Sequence, residues 1–366
     1  MELVDFIQSN PNWREVLSSH PYNLKIKDDG TYVILSYSQI DSDFSLDMVR
    51  QARGIIFRLS DLKPVCVPFS KFFNVQERFA SDIDWSTARV QEKIDGSIIK
   101  IYFSDNEWHI STNGTIDAFS APLGLQMGGV ETYGDLFMRG LRNHNLTWSY
   151  LTAVMNEGCT YMFEVVSPLN RVVVPYSETE IYHIGTRKNW GDYAEIEQDL
   201  GVQKPIEHNL FSAEDCLAAA NELPFSEEGY VVVDGNWNRI KIKSAAYVAA
   251  HHLKNNGLIT EEDILNLILL NEKSEFLSYY PEYKWLFDEI EIRFNRLVEV
   301  LDAEWNTFCE RCLYLDVQNR KRAAELALKT FMPSCIFALY DKKYSSVQEF
   351  VRSMTTEKII KAMEKL

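Results

Sequence analysis

VQEKIDGSIIKIYF, residues 90–103, is the stretch on which the fold turns. It reads as a hydrophobic strand, a break, and a second hydrophobic strand, with Lys93, Ile94, Asp95 and Gly96 filling the break. Two readings compete: a hairpin turn with a charged decoration, or a lysine placed for chemistry. A lysine amine is a nucleophile only when deprotonated, which a site arranges by desolvation or by neighbouring cations. Strand-flanked Lys93 meets that demand, and Gly96 lets the backbone turn closely. Three fixed residues alone also describe an ordinary turn.

Pieces elsewhere in the chain bear on the choice. EEGYVVV places Glu228 before a glycine and a strand. Its partner RIKIKS puts Lys241 and Lys243 at i and i+2, on one strand face, with Ile240 and Ile242 on the other. Alternating lysines often mark a solvated face. Two cations beside a nucleophilic lysine would instead grip phosphates and favour the free amine. Glu164 lies inside the apolar run MFEVV, where an unpaired carboxylate is costly. A salt bridge, a ligand hydroxyl or a metal-bound water would each account for it. ARGIIFR and FSKFFN supply Arg53 and Lys71 beside hydrophobic runs.

The 366 residues suffice for two domains, and 46% hydrophobic with 25% charged residues is the balance of a globular protein. A net charge of −16 argues at first sight against a polyanionic partner. Screening confines each charge to about 10 Å, so a phosphate site requires only that basic residues converge in a cleft. No apolar run approaches membrane-spanning length; ILNLILL at 264–270 is among the longest. The acidic start MELVDFIQSN resembles neither a signal nor a transit peptide, so a cytoplasmic protein without membrane contact is expected. The six cysteines are scattered. Cys309 and Cys312 form one CxxC in a helical stretch with no second ligand pair nearby, so reduced, structural thiols are expected.

Two textures divide the chain. Up to about residue 250, β-branched runs dominate: 31–38, 54–59, 88–103, 161–166, 171–176, 180–186 and 229–244. Several alternate with period two, as half-buried antiparallel strands do, and VVVDGNWNRIKIK reads as a hairpin. Helices are expected near 131–157 and at 212–223, the latter capped by Ser212. The class is α+β, built on antiparallel sheets. Beyond the KIKS strand the spacing is helical and Gly and Pro almost vanish. Domains of 1–253 and 254–366 are expected, the second small and all-helical.

KIDG, FEVV, EGYVV and KIKS, in this order and at these separations, resemble the covalent nucleotidyltransferase superfamily of ligases and RNA-capping enzymes. SY at 36–37, ARGIIF at 52–57, KFFN at 71–74, APLGL ahead of a helix, VVSPLNRVVVPY at 165–176 and KSAAYV at 243–248 narrow it. Together they resemble the RNA ligase 1 family of T4-type bacteriophages, over nearly the whole chain and most densely from 50 to 250. The resemblance implies an ATP-dependent enzyme in which Lys93 is adenylated, AMP passes to an RNA 5′-phosphate, and a 3′-hydroxyl then seals the strand. Asp95 and Gly96 would complete the nucleophile's motif. Glu164 would hold the ribose, and Glu228 and Glu164 would position magnesium, directly or through water. Lys241 and Lys243 would contact the α-phosphate. Tyr37, Arg53 and Lys71 would face the β- and γ-phosphates, with Phe73 buttressing that wall, and Tyr247 is a weaker carry-over.

One position departs from the family. Where relatives carry a basic residue before a glycine, HISTNGTID has Asn113, which can hydrogen-bond a phosphate but not neutralise it. A DNA ligase or capping guanylyltransferase is the alternative enzyme, although those usually continue into a β-rich OB-fold. A nucleic-acid-binding relative that has lost catalysis is the alternative outside enzymes. The helical domain is associated in the family with RNA, in particular broken tRNA anticodon loops. Arg320, Lys321 and Arg322 would contact backbone phosphates unless they only solvate a helix face. A monomer acting in a host cytoplasm, beside a separate end-healing polynucleotide kinase-phosphatase, completes the expectation.

Overall fold

The computed structural model describes residues 1–252, 259–314 and 320–366. The chain divides into two compact units, Met1–His251 and His252–Leu366. The boundary expected between 253 and 254 lies outside the described residues.

The first unit holds two five-stranded sheets. One runs in the order Glu195–Ile196, Glu180–Lys188, Cys159–Val166, Ser97–Ser104, Glu107–Thr112, antiparallel throughout. The other runs Glu207–His208, Arg89–Glu92, Gly229–Val233, Arg239–Lys243, Phe73–Asn74, with only the last pair parallel. The two strands of VQEKIDGSIIKIYF therefore belong to different sheets, and the stretch is no hairpin. Residues 93–96 form a crossover. Its first strand pairs with the one that follows Glu228, and its second pairs with the one that carries Glu164 (Glu164 opposite Ile98).

Each sheet buries the face that its alternation marks. Ile99 and Ile101 pack with Tyr161 and Phe163 against Phe137 of the helix Tyr133–Asn143. That helix starts at a capping box between Thr132 and Asp135. Val232, Ile240 and Ile242 pack against the helix Ala213–Glu222, whose N-cap is Ser212. The strand Ser97–Ser104 is covered on both sides, because Lys100 and Tyr102, which point away from Ile99 and Ile101, are also fully buried. A four-stranded antiparallel sheet, Lys25–Asp28, Tyr32–Ser36, Arg53–Arg58 and Pro64–Cys66, packs with the helices Glu2–Ser9 and Trp13–Ser18.

The expected strand at 171–176 does not form. Its amides are spent otherwise: Val173 and Val174 donate to Asp95 Oδ2 at 2.9 and 2.8 Å. The Tyr247 hydroxyl donates to Asp95 Oδ1 at 2.8 Å. Asp95 is only 5% exposed, so this set of donors replaces the water it loses. Gly96 is needed for close approach, since a Cβ there would run into the Val165 carbonyl.

The described part of the second unit is helical: Glu261–Leu269, Lys273–Tyr279, Lys284–Tyr314, Arg320–Ala327, Pro333–Tyr340, Val347–Arg352 and Thr356–Met363, with no strand among the described residues. Cys309 and Cys312 lie on the 31-residue helix and pack beside Phe308, Ala323, Ala327 and Ile336. Among the described residues no helix is long and apolar enough to cross a membrane.

Replacing Asp95 with Ala strips three buried donors of their acceptor. At about 1–3 kcal/mol per unsatisfied group, offset by water entry, the loss should be on the order of 3 kcal/mol. Urea denaturation measures it, and a loss below about 1 kcal/mol would show that the carboxylate does not hold the crossover.

Candidate active site

The crossover delivers Lys93 to a cleft of about 340 Å³ within the first unit. Its backbone amide donates to Gly229 O at 2.8 Å, which fixes where the side chain emerges. Lys93 Nζ lies 2.6 Å from Glu228 Oε2, and Lys243 Nζ lies 3.7 Å from Glu228 Oε1. Glu228 is 4% exposed, so this carboxylate is neutralised from two sides. Lys241 and Lys243 both line the cleft while Ile240 and Ile242 are buried behind them, the division that the alternation predicts.

The far wall carries the other cations. The Lys71 ammonium lies 5.0, 4.5 and 5.3 Å from the ring centres of Tyr37, Phe44 and Phe73 and donates to Gln39 Oε1 at 3.3 Å. Arg53 sits 5.2 Å over Phe72. Aromatic faces hold both charges by their quadrupoles. Tyr37, Arg53, Lys71, Lys93, Gly96, Glu164, Lys241 and Lys243 thus line one cleft. Asp95 and Tyr247 are buried and support it from behind, while Phe73 packs behind Lys71. Arg320, Lys321 and Arg322 lie in the second unit, exposed, with Arg320 paired to Asp341 at 2.7 Å.

Several participants escaped the sequence reading. Ile98, Ile184, Pro205 and Val231 line the cleft as apolar wall, yet in sequence they look like any core residue. Lys100 is fully buried and donates to the Gly54 carbonyl. Burial, with Arg53 nearby, pulls its pKa down to about 8. Its signal was present, a lysine in the middle of IIKIYF. Gly54, at φ +78°, has Lys100 Nζ and Asn113 O each 2.7 Å from where a Cβ would sit. Ser36 Oγ donates to that same Asn113 carbonyl at 2.8 Å. Lys100, Gly54, Ser36 and Asn113 thereby form one knot directly beside Arg53. Asn113 lines the cleft, and its Oδ1 is buried without a hydrogen-bond partner.

Burial pushes the Glu164 carboxyl up from 4.5 to about 8, with Lys93 and Arg53 pulling down and Glu228 and Asp95 pushing further up. Among the described residues no cluster of three metal-ligating side chains occurs. Two carboxylates at the edge of a cationic pocket do fit a hard divalent ion that takes its other positions from phosphate oxygens and water. The donor set suits an ion that arrives with a nucleotide.

The model of the RNA ligase family matches residues 51–247. This chain belongs to the RNA ligase family. The match encloses every cleft-lining candidate except Tyr37, and it carries the enzyme class that the motif order implied. The ligase is similar to a candidate bifunctional polynucleotide kinase/RNA ligase of Autographa californica nuclear polyhedrosis virus, 30% identical over 72% of this chain and 40% of that longer protein. It is also similar to the RNA ligase of Rhodothermus phage RM378, 26% identical over 86% of each chain. Among solved structures, an archaeal ATP-dependent RNA ligase aligns with a TM-score of 0.44 at 15% identity, over 67% of this chain and 65% of that one.

The raised Glu164 pKa has a signed consequence. The unfolded chain sheds this proton near pH 4.5 and the folded one near pH 8, so the folded state loses stability as pH rises through that window. Glu164→Gln removes the titration. Its thermal midpoint relative to the wild type should climb from pH 4.5 to pH 8; a difference flat with pH would contradict the assignment.

Proposed function

We propose that the protein is an ATP-dependent RNA ligase working through a Lys93–AMP intermediate. The observation that carries the reading is the convergence of Arg53, Lys71, Lys241 and Lys243 around Lys93 in one cleft of a protein whose net charge is −16. Such a cleft accommodates a nucleoside triphosphate that the rest of the surface would repel.

In the first step Lys93 Nζ attacks the α-phosphorus. The N–P bond forms, the bond to the bridging oxygen breaks, and pyrophosphate leaves. Attack needs a free lone pair, so the pair with Glu228 must open, and Glu228 is placed to accept the proton. Lys241 and Lys243 take up charge on the α-phosphate, and Arg53 and Lys71 stabilise the departing pyrophosphate. In the second step an oxygen of the RNA 5′-phosphate attacks the same phosphorus, the N–P bond breaks, and Lys93 regains its proton. In the third, an RNA 3′-hydroxyl attacks the 5′-phosphorus and AMP departs. Asp95 and Gly96 keep the crossover in place through all three. Magnesium, held by Glu228 and Glu164 directly or through water, supplies charge neutralisation when the nucleotide is bound.

The physiological substrate on this reading is a broken RNA with 5′-phosphate and 3′-hydroxyl ends, a cleaved tRNA anticodon loop being one such. Arg320, Lys321 and Arg322 are the helical unit's contribution to RNA backbone contact. A viral relative named for both kinase and ligase supports the view that an end-healing activity accompanies this one, in a host cytoplasm. The protein is taken to act as a monomer.

Incubation with α-labelled ATP and Mg²⁺ should give an acid-labile AMP adduct that Lys93→Ala abolishes. No adduct, or one that survives the substitution, would overturn the mechanism, and an adduct from GTP would point to capping instead. A 5′-phosphorylated single-stranded RNA should circularise more efficiently than the matching DNA.

A further inference from the structure

A second cavity, of about 670 Å³, adjoins the nucleotide cleft in the first unit and shares Phe69, Lys71, Phe72 and Arg239 with it. The strand Arg239–Lys243 sets the direction between them. Lys243 lies beside the Lys93–Glu228 pair, while Arg239 lines both cavities. Arg239, Lys241 and Lys243 alternate along one face of the strand, and all three line the cleft. Four residue rises separate the ends, about 14 Å. A row of cations thus leads from the nucleophile to the second cavity.

Inside that cavity stands a guanidinium that no carboxylate among the described residues bonds directly, Glu195 acting on it only through space. Arg187 donates from Nε to Tyr193 O and from Nη1 to Pro68 O, both at 2.7 Å. It makes no ion pair with any carboxylate among the described residues. Glu195, paired with Arg187 across the strand ladder, is taken up bidentately by Arg239 at 2.5 and 2.7 Å. The other acidic groups lining the cavity are also engaged, Asp47 by Arg50 and Asp192 by Lys188. Burial acts against the Arg187 charge. Two backbone carbonyls fix its orientation without neutralising it, and that geometry suits an anion. Aromatic rings complete the walls: Phe79, flanked by Arg50 and Arg78 at 6.0 and 5.3 Å, and half-buried Trp237.

The chemistry says which anion belongs there. A group attacking the phosphorus bonded to Lys93 must approach from the side opposite Nζ, and the row of cations runs away from Lys93 towards Arg239. The geometry points to this cavity as the seat of the single-stranded RNA that trails the 5′-phosphate, whose own place is at the α-phosphorus beside Lys93, with Arg187 binding an oxygen of an internucleotide phosphate and Trp237 and Phe79 stacking bases. Stacking tolerates any base and suits an enzyme that joins ends of varied sequence. The inference rests on the ligase reading, and its test separates the two.

The full chain carrying Arg187→Gln or Trp237→Ala is assayed step by step. Transfer of AMP from Lys93 to a short 5′-phosphorylated single-stranded RNA should show an apparent KM for RNA raised about tenfold, a larger change than in the RNA-free adenylation of Lys93. Arg187→Gln should lower the slope of log affinity against log salt by about 0.7, and Arg187→Lys should restore part of it. Wild-type RNA KM and salt slope in both variants would overturn the proposal and leave the ligase reading intact. If Arg187→Gln fails to fold, Trp237→Ala decides alone. If the wild type forms no adduct, the ligase reading falls. Equilibrium binding of a short single-stranded RNA then judges the cavity directly: an affinity that Arg187→Gln and Trp237→Ala each lower supports it, and an unchanged affinity in both overturns it.

Discussion

The Asp95 carboxylate, two residues beyond Lys93, accepts from Val173, Val174 and Tyr247, tying the crossover to segments between 78 and 152 residues away. Without those bonds a buried carboxylate would cost several kcal/mol, so the crossover is stable only when both segments have arrived. On its other side the Lys93 amide is fixed to Gly229 O. Pinned at both ends, the short link between two sheets has little freedom left, and Lys93 leaves it at a set point between the strand that bears Glu164 and the strand that follows Glu228. Positioning of this kind removes entropy from the reaction before substrate binds.

The same crossover explains what could be read from sequence and what could not. The run 97–104 declared a strand, Ser212 a cap, and the alternation of 239–243 put lysines on one face and isoleucines on the other; these are local properties, and the structure keeps them. The pairing of the two strands around Lys93 was not local. A hairpin and an inter-sheet crossover present the same hydrophobic run, break and run, and only distant partners distinguish them. The 171–176 run failed for a related reason. Its valines have strand propensity, but two of their amides are claimed by Asp95, and tertiary demand overrides propensity. The apolar wall of the cleft was invisible because nothing in the sequence tells an isoleucine facing a ligand from one facing the core.

Asn113 shows how a missing charge can be judged only in three dimensions. Its place in the sequence suggested a cradle short of one cation. In the fold its carbonyl belongs to the knot that holds Gly54, and a fully buried lysine, Lys100, sits in that knot. Because Lys100 is sealed from solvent, its field is screened less than that of an exposed lysine would be. It cannot touch a phosphate, but it stabilises the turn that presents Arg53. The cleft wall at Arg53 is thus supported from the interior by Lys100.

Glu164 lines the cleft and Glu228 lies behind Lys93 and Lys243, and the two carboxyl groups differ in their surroundings. Glu228 sits between the ammonium groups of Lys93 and Lys243, while Glu164 keeps its proton to about pH 8. Two ionised carboxylates this close would repel each other and compete for Lys93; one neutral and one charged do not. A protonated Glu164 can both donate and accept, as recognition of a sugar hydroxyl requires, whereas an ionised one only accepts. A cation entering beside both groups would favour the ionised form of each, so proton release from Glu164 would accompany its arrival. The protonation of Glu164 therefore makes the charge of the cleft responsive to its occupant.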